Sequence, residues 1–466
     1  MSAFARSDCV LAFARRQPGP VPVGDVKPHV TRMYESISRV SHSLARGVAI
    51  LLATAACAMS SHAAGGLVAQ HTEDLQPSLT RVSKAGNATL EFTAFDRDFR
   101  LRLSNNEHLT RLAAGSALQF YKGTLEGVPG SWARITIVDG LPRGMIWDGH
   151  ELFIVDAAAD AVNYGAAGTV MFKLSDAVFE QGASFTGDTV ATPRDPAAAY
   201  DALVGELRAR TRALEAGVAT EGVEISILGD AAYLARYPGE AQARDALLIR
   251  LNSVDGIFSS QVGVELQVVS VNLAGDFTAG LSTTTDPSTL LGDLARIRQQ
   301  SPALSATGLT HLFTGRELNG QTSGIAYTEA LCSRRFGASL TMAHNSAALD
   351  VLITAHEIGH VFGAPHDGTE QCASTPQGQF IMTPAFTGTS ITSFSQCSLD
   401  QIDAVIDSYS CLEALPPSEP PPDPTPPAPP PPAPSDSGGG KGGGLLDPSL
   451  LLLLLAFVIA HQRRAR

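Results

Sequence analysis

The chain has 466 residues and a formal charge of −13, with 44% hydrophobic and 17% charged residues. That length supports two or three domains with real cores, and the composition is that of a globular chain and excludes a disordered one. The acidic balance, with no Lys/Arg block in the body of the chain, tells against nucleic acid or an anionic membrane surface as a partner.

The first recognisable element is an apolar run, GVAILLATAACAM (47–59), preceded by Arg39 and Arg46 and followed by SSHAAGG. Basic, apolar and small-residue regions in that order predict a secretory signal peptide, and Ser61 and Ala63 set its cleavage after Ala63. Residues 64–221 contain no cysteine and read as a β-rich domain. TLEFTAF, FRLRLS, LQFYKGTL, SWARITIV and MIWDGHELFIV alternate apolar with polar positions between Gly, Pro, Asn and Asp. His108 and His150 stand alone there and suggest no chemistry. Residues 196–216 turn Ala- and Arg-rich and helical, with Arg208, Arg210 and Arg212 forming either a protease-sensitive hinge or a solvated helix face.

From 222 to 412 strand and helix patterns alternate, which predicts an α/β domain. VEISILGD reads as a buried strand, and residues 244–258 have apolar positions at helical spacing. VELQVVSVNL, GLTHLFTG and SGIAYTE read as further strands, and STLLGDLARIRQQ as a helix. Cys332, Cys372, Cys397 and Cys411 lack C-x-x-C spacing, so two disulfides in an oxidising compartment are favoured over free thiols.

Within this domain ALDVLITAHEIGHVFG places Leu349, Ile353, His356 and His360 on one face of a helix. Imidazoles four residues apart lie close enough to share one metal ion. Gly363 allows a turn with positive φ that brings His366 back as a third ligand. Three neutral imidazoles with one open position suit a catalytic zinc rather than a closed structural site. Such an ion acidifies water and polarises a carbonyl, and Glu357, off the ligand face, is placed to take a proton.

HEIGHVFGAPHD resembles the metzincin zinc signature, and its details are similar to the reprolysin (adamalysin) branch. Asp367 after the third histidine, QFIMTPAF as a Met-turn with Met382, FSQCS (394–398), and HLFTGRELNG followed by GIAYTEALC carry the resemblance. It covers about 223–412, with a weaker likeness of YKGTLEGVPGSWARITIVDGLPRGMIWDGHELFIV to a reprolysin propeptide. The resemblance implies an α/β metzincin-type catalytic domain, with a twisted, mostly parallel sheet, an active-site helix and a zinc cleft, preceded by a mainly β prodomain. It implies one zinc on His356, His360 and His366, Glu357 as general base, and support from Gly363, Asp367 and Met382. It also implies disulfides Cys332–Cys411 and Cys372–Cys397. Calcium binding is not legible.

The expected activity is that of a secreted, monomeric zinc endopeptidase. Its polypeptide substrate would add antiparallel to an edge formed by Gly324, Ile325, Ala326 and Tyr327, extending to Thr328. The alternative is an inactive metzincin scaffold used for surface adhesion. Residues 64–331 contain no cysteine, so latency cannot come from a propeptide thiolate.

Beyond Cys411 no disintegrin-like or cysteine-rich module follows. Residues 413–444 run from a proline-dense spacer into a glycine-rich one, and 445–466 carry an apolar segment and an Arg tail. This arrangement resembles the GlyGly-CTERM sorting signal of Gram-negative bacteria, which implies secretion machinery and a rhomboid-type sorting protease as partners. A simple C-terminal anchor is the alternative, and both put the globular part outside the cytoplasm.

Overall fold

The computed structural model describes residues 67–81, 86–157, 168–179, 185–191, 219–273, 275–386 and 391–415. The signal segment, the Ala/Arg-rich stretch 196–216, the Pro- and Gly-rich spacers and the apolar tail lie outside the described residues. Among the described residues, no helix is long and apolar enough to cross a membrane.

The first part of the chain is built from antiparallel strands. They are β1 (Leu67–Ala69), β2 (Glu73–Asp74), β3 (Ser78–Arg81), β4 (Ala88–Ala94), β5 (Arg97–Asn105) and β6 (Gln119–Leu125). After these come β7 (Trp132–Val138), β8 (Leu141–Trp147), β9 (Leu152–Ala157), β10 (Thr169–Lys173) and β11 (Ala177–Phe179). Nine of them form one sheet in the order β2-β10-β9-β8-β7-β6-β5-β4-β3, and β1 pairs with β11.

Turn chemistry fixes the hairpins. Phe95 and Asp96 (φ 53° and 56°) join β4 to β5, and Asp139 and Gly140 (φ 51° and 84°) join β7 to β8. Two positive-φ residues in a row give the turn whose twist matches the flanking strands. MIWDGHELFIV divides into β8 and β9 because Asp148 Oδ1 accepts from the N–H groups of His150 and Glu151.

Alternation along each strand gives the sheet two apolar faces. Ala133, Ile135, Ile137, Phe153 and Val155 line a core internal to this sheet. The sheet curls over that core: Phe99 of β5 meets Phe153 of β9 edge to face at 5.2 Å. Trp132, Phe120, Met145, Leu152 and Ile154 face the other way and join the core of the rest of the protein. One short helix, α1 (Glu107–Leu112), lies between β5 and β6 and is capped by Asn106.

The second sheet contains β12 (Phe185–Ala191), β13 (Glu221–Gly229), β14 (Val264–Leu273) and β15 (Leu309–Thr314). It also contains β16 (Thr322–Thr328), β17 (Ala338–Met342), β18 (Ala385–Phe386) and β19 (Leu412–Ala414). Its order is β14-β13-β15-β17-β16-β12-β18, with β19 also paired to β13. The β13–β14, β13–β15 and β15–β17 pairs are parallel, while β16 runs antiparallel to β17. β12 falls inside the span 64–221 that the sequence gives to the β-rich domain, yet its hydrogen bonds are made in this second sheet.

Four helices pack on or beside the sheet: α2 (Glu240–Gln261), α3 (Pro287–Gln300), α4 (Ala347–Phe362) and α5 (Gln396–Ile406). α2 is buried along most of its length because one flank meets this core and the other meets β7. α4 starts at Ser346, whose hydroxyl accepts from Leu349 N–H, and every residue from Ala348 to Phe362 is buried. A helix enclosed on all sides must be apolar all round unless its polar groups have a task. One such task is structural: Asp350 takes Arg250 Nε at 2.8 Å and His344 Nδ1 at 3.0 Å, tying α4 to α2 and to the end of β17. Disulfides join Cys332 to Cys411 and Cys372 to Cys397.

Candidate metal centre

Two of the polar groups in the second half of α4 point to one place. His356 and His360 stand one turn apart, and both are fully buried. The helix ends at Gly363, which adopts φ 110°, and its N–H donates to the carbonyl of His360. A side chain would be strained at that φ and would bring a Cβ to 2.8 Å from Val405 on α5, so glycine makes the exit possible. Three residues later His366 returns to the helix.

The Nε2 atoms of His356, His360 and His366 lie 3.0, 3.1 and 3.2 Å from one another. Nitrogens on a tetrahedral ion with bonds of ~2.0–2.1 Å stand about 3.3 Å apart, so the cluster has the dimensions of a zinc donor set. The opposite ring nitrogens fix the tautomers. His356 Nδ1 donates to the carbonyl of Ile381 at 2.7 Å, and His360 Nδ1 donates to that of Ala364 at 2.8 Å. Each Nε2 is left with its lone pair directed inward, as metal ligation requires.

Burial holds the His356 imidazole down to about 3, with the neighbouring His366 adding to the effect against the bond to Ile381. His360 is pushed well below its ordinary value by burial and by His356 and His366. His356 and His360 are therefore presented as neutral bases. Among the described residues, these three histidines form the group able to hold a metal ion.

The floor and flank of the cluster are also defined. Met382 is fully buried, and a Cβ placed on Gly359 would fall 2.8 Å from its sulfur and 2.9 Å from Phe394. The methionine thus lies against the helix between its two histidines. Asp367 N–H donates to the Met382 carbonyl at 2.8 Å, and Asp367 Oδ1 accepts from the hydroxyls of Ser395 and Ser398. That chain of bonds joins the third-histidine loop to the methionine turn and to the start of α5. The ring of Phe386 lies 5.5 Å from His356.

Glu357 is buried and directed toward β16. A Cβ on Gly324 would fall 2.6 and 2.7 Å from Glu357 Cγ and Cδ, so the strand passes directly against this carboxylate. Gly324, Ile325, Ala326 and Tyr327 lie in β16, with β17 on one side of it. Its other side is taken by β12, running parallel, with Gly187 opposite Gly324, Asp188 opposite Ile325 and Thr189 opposite Ala326. β12 also pairs antiparallel with β18, Thr186 opposite Ala385, and so lies between β16 and β18 in the sheet. A cavity of about 210 Å³ next to His366 is bounded by Thr189, Thr328, Glu329 and Glu370.

Reading the sequence alone misses β12, although FTGDTVA carries β-branched residues at strand positions. It also misses the approach of Gly324 to Glu357 and the contact of Gly359 with Met382, both of which depend on non-local packing.

Residues 219–395 match a family model, Reprolysin_5, described as "Metallo-peptidase family M12". Mouse "Disintegrin and metalloproteinase domain-containing protein 19" is 29% identical over 200 residues, 42% of this chain and 21% of that protein. This chain therefore spans about a fifth of that relative. "Snake venom metalloproteinase TM-1" of Protobothrops mucrosquamatus is 27% identical over 182 residues, 38% of this chain and 87% of that protein. "Snake venom metalloproteinase acutolysin-C" of Deinagkistrodon acutus is 33% identical over 88 residues, 19% of this chain and 20% of that protein. A solved structure, metalloproteinase-II from Bacteroides fragilis, aligns with TM-score 0.39 and 11% identity over 67% of this chain and 89% of that one, too slight a likeness to carry an argument. Over residues 219–395, then, the chain is similar to the M12 metallopeptidases of the reprolysin type, and the three-histidine cluster lies within that similarity.

Proposed function

We propose that this chain is an exported zinc endopeptidase whose site is His356, His360 and His366 with Glu357. The observation that carries the reading is the convergence of three Nε2 atoms within 3.2 Å beside a carboxylate that touches a strand of the sheet. Zinc bound there supplies a Lewis acid for a scissile carbonyl and lowers the pKa of water toward ~7.

The chain's own residues do the rest. Glu357 accepts the proton of the attacking water and returns it to the leaving amine. Gly324, Ile325, Ala326 and Tyr327 receive the substrate as an added antiparallel strand once that edge is uncovered. Asp367, Met382 and Gly363 hold the ligand loop in place. Two disulfides and the signal-like segment fit an oxidising destination, and the tail fits sorting to the surface of a Gram-negative cell. We take residues 64–221 as a propeptide, residues 222–412 as the catalytic part and the working enzyme as a monomer. An inactive adhesion scaffold has no use for a buried glutamate at this position.

The test is zinc content and hydrolysis of an unstructured protein such as casein, with and without chelator, in the wild type and in Glu357→Gln after the residues before 222 have been cut away. One zinc per chain in both, with chelator-sensitive hydrolysis in the wild type only, is the expected result. Equal hydrolysis by the two proteins overturns the reading.

A further inference from the structure

The nine-stranded sheet meets α2 closely toward the end of that helix. Trp132 on β7 lies over Gly256, where an added Cβ would fall 2.7 Å from its Cζ3, and Arg134 beside it pairs with Asp255 at 2.9 Å. Nearer the start of α2 the sheet and the helix border a cavity of about 430 Å³. That size lies within the range of small-molecule sites. The cavity is separate from the metal centre. Ala347, the first residue of α4, is in its wall, and His356 stands nine residues on, roughly 14 Å along the helix.

The wall is cationic, and each cation comes from a different element. Arg143 on β8 and Asp156 on β9 lie one step beyond the Gly144–Val155 pair, on the face that Met145 and Ile154 turn into the core shared with α2. Ala246, Ile249 and Arg250, three and four residues apart on α2, form the opposite side. Arg236, between β13 and α2, completes the ring, with its Nη2 donating to Asn345 Oδ1 at 2.9 Å. Arg143, Asp156 and Asn345 are themselves engaged within the protein, so the wall is held in place before any ligand arrives. Arg250 is only 9% exposed; its Nε donates to Asp350 at 2.8 Å and its Nη1 to the Ala246 carbonyl at 3.0 Å. Those bonds use two of the five N–H donors of Arg250, and the bond to Asn345 uses one of the five of Arg236.

The three guanidiniums face two carboxylates, Asp156 in the wall and Asp350 behind Arg250, which leaves a positive balance among the described residues. The start of α4 adds the positive pole of its dipole. In a chain of formal charge −13 this is a local inversion of sign, and a cleft with low-dielectric walls focuses it.

We propose that this cavity binds a small organic anion, its phosphate or carboxylate held by Arg143, Arg236 and Arg250. Guanidinium forks match both headgroups bidentately. Ala246 and Ile249 take the apolar part of the molecule. The site joins the first sheet to α2 and α4, so its ligand stabilises the intact chain. Nothing in it rests on the peptidase reading.

The test uses the full chain as Glu357→Gln, which excludes autolysis, with thermal unfolding and isothermal titration as readouts. Two pairs of probes are compared with sodium chloride at matched ionic strength: inorganic phosphate with phenyl phosphate, and acetate with phenylacetate. In one pair the aromatic member titrates one site per chain, raises Tm above the chloride control and binds more tightly than its simple parent; which pair does so assigns the headgroup. Arg236→Ala, at an exposed position, and Arg143→Ala each weaken that binding by about 10- to 100-fold, the loss of a charged hydrogen bond. Arg335→Ala, exposed and outside the cavity, leaves it unchanged. Shifts no larger than those of chloride, an aromatic member no tighter than its parent, or equal losses in the Arg335 and Arg236 variants overturn the proposal.

Discussion

Gly324→Ala isolates the contact between the edge strand and Glu357. The added Cβ would lie 2.6 Å from Glu357 Cγ, and ordinary van der Waals contact begins at 3.4 Å, so about 0.8 Å must be found. Glu357 is fully buried on a helix whose neighbours are buried too, and β16 is held by β17 on its other side. Neither partner has free space to retreat into. Overpacking of this kind costs about 1–3 kcal/mol, and at roughly 2–4 °C per kcal/mol for a domain near 200 residues Tm falls by about 2–12 °C. The functional loss is larger, because a displacement near 1 Å at reacting groups costs about 10²-fold in rate. The expected result in the enzyme freed of the residues before 222 is kcat/KM lowered about 10²-fold on a quenched fluorescent peptide, with one zinc per chain retained. Wild-type kcat/KM together with an unchanged Tm would refute the packing argument and the role given to this strand.

Glu357→Gln keeps its zinc and loses about 10²–10⁴-fold in hydrolysis, read by metal analysis beside the peptide assay. Asp350→Ala strands the buried Arg250 and costs about 3–5 kcal/mol in urea unfolding at pH 7. Burial raises the Asp350 carboxyl, but Arg250 and the bonds from His344 outweigh it and leave it below its ordinary value. Its stabilisation is therefore present above about pH 4 and lost as pH falls further, so the gap between wild type and variant narrows there. His311 is fully buried, and burial holds its imidazole down to about 3. A depressed folded value means full stabilisation above the unfolded ~6.5 and progressive loss below it, about 3 kcal/mol by pH 4. His311→Asn should lose less stability between pH 6.5 and 4, and an identical slope in urea midpoints against pH would contradict this. Removing the Cys372–Cys397 link by a double Cys→Ser change opens a loop of sequence separation 25 and costs about 3 kcal/mol in thermal unfolding, with weaker zinc retention because that loop follows His366.

How much of this could be read from the chain depends on how local each signal is. The helix of His356 and His360, its end at Gly363 and the return of His366 lie within eleven residues, where spacing alone decides what meets what. VELQVVSVNL matches β14 residue for residue because apolar and polar residues alternate on either side of a bulge at Val269 and its ends are marked by Gly263 and Gly275. β12 was illegible for the opposite reason. Seven residues between two long segments give no cue to their partner, and pairing with β16 is set more than a hundred residues away. The face of β7 turned to α2 reads as mostly polar, since Arg134 and Thr136 share it with Trp132. Only Asp255 and Asn252 on the partner explain why those groups are buried. Gly324 and Gly256 carry no sequence signal of their own, and each is explained by the side chain that fills its missing Cβ.

The last strand of the described chain has a mechanical consequence. β19 pairs with the start of β13, and Leu415 N–H donates to the Thr220 carbonyl, just before the proline-dense spacer begins. Tension drawn through that spacer would first peel three residue pairs of β19, a weak zip-like mode. One residue further in, it meets Cys411, bonded to Cys332 within the loop that follows β16. A load on the tail is thus passed through a covalent strut to the loop whose Glu329, Ala330 and Leu331 N–H groups hang on the carbonyls of His360 and Val361, at the end of the metal-site helix.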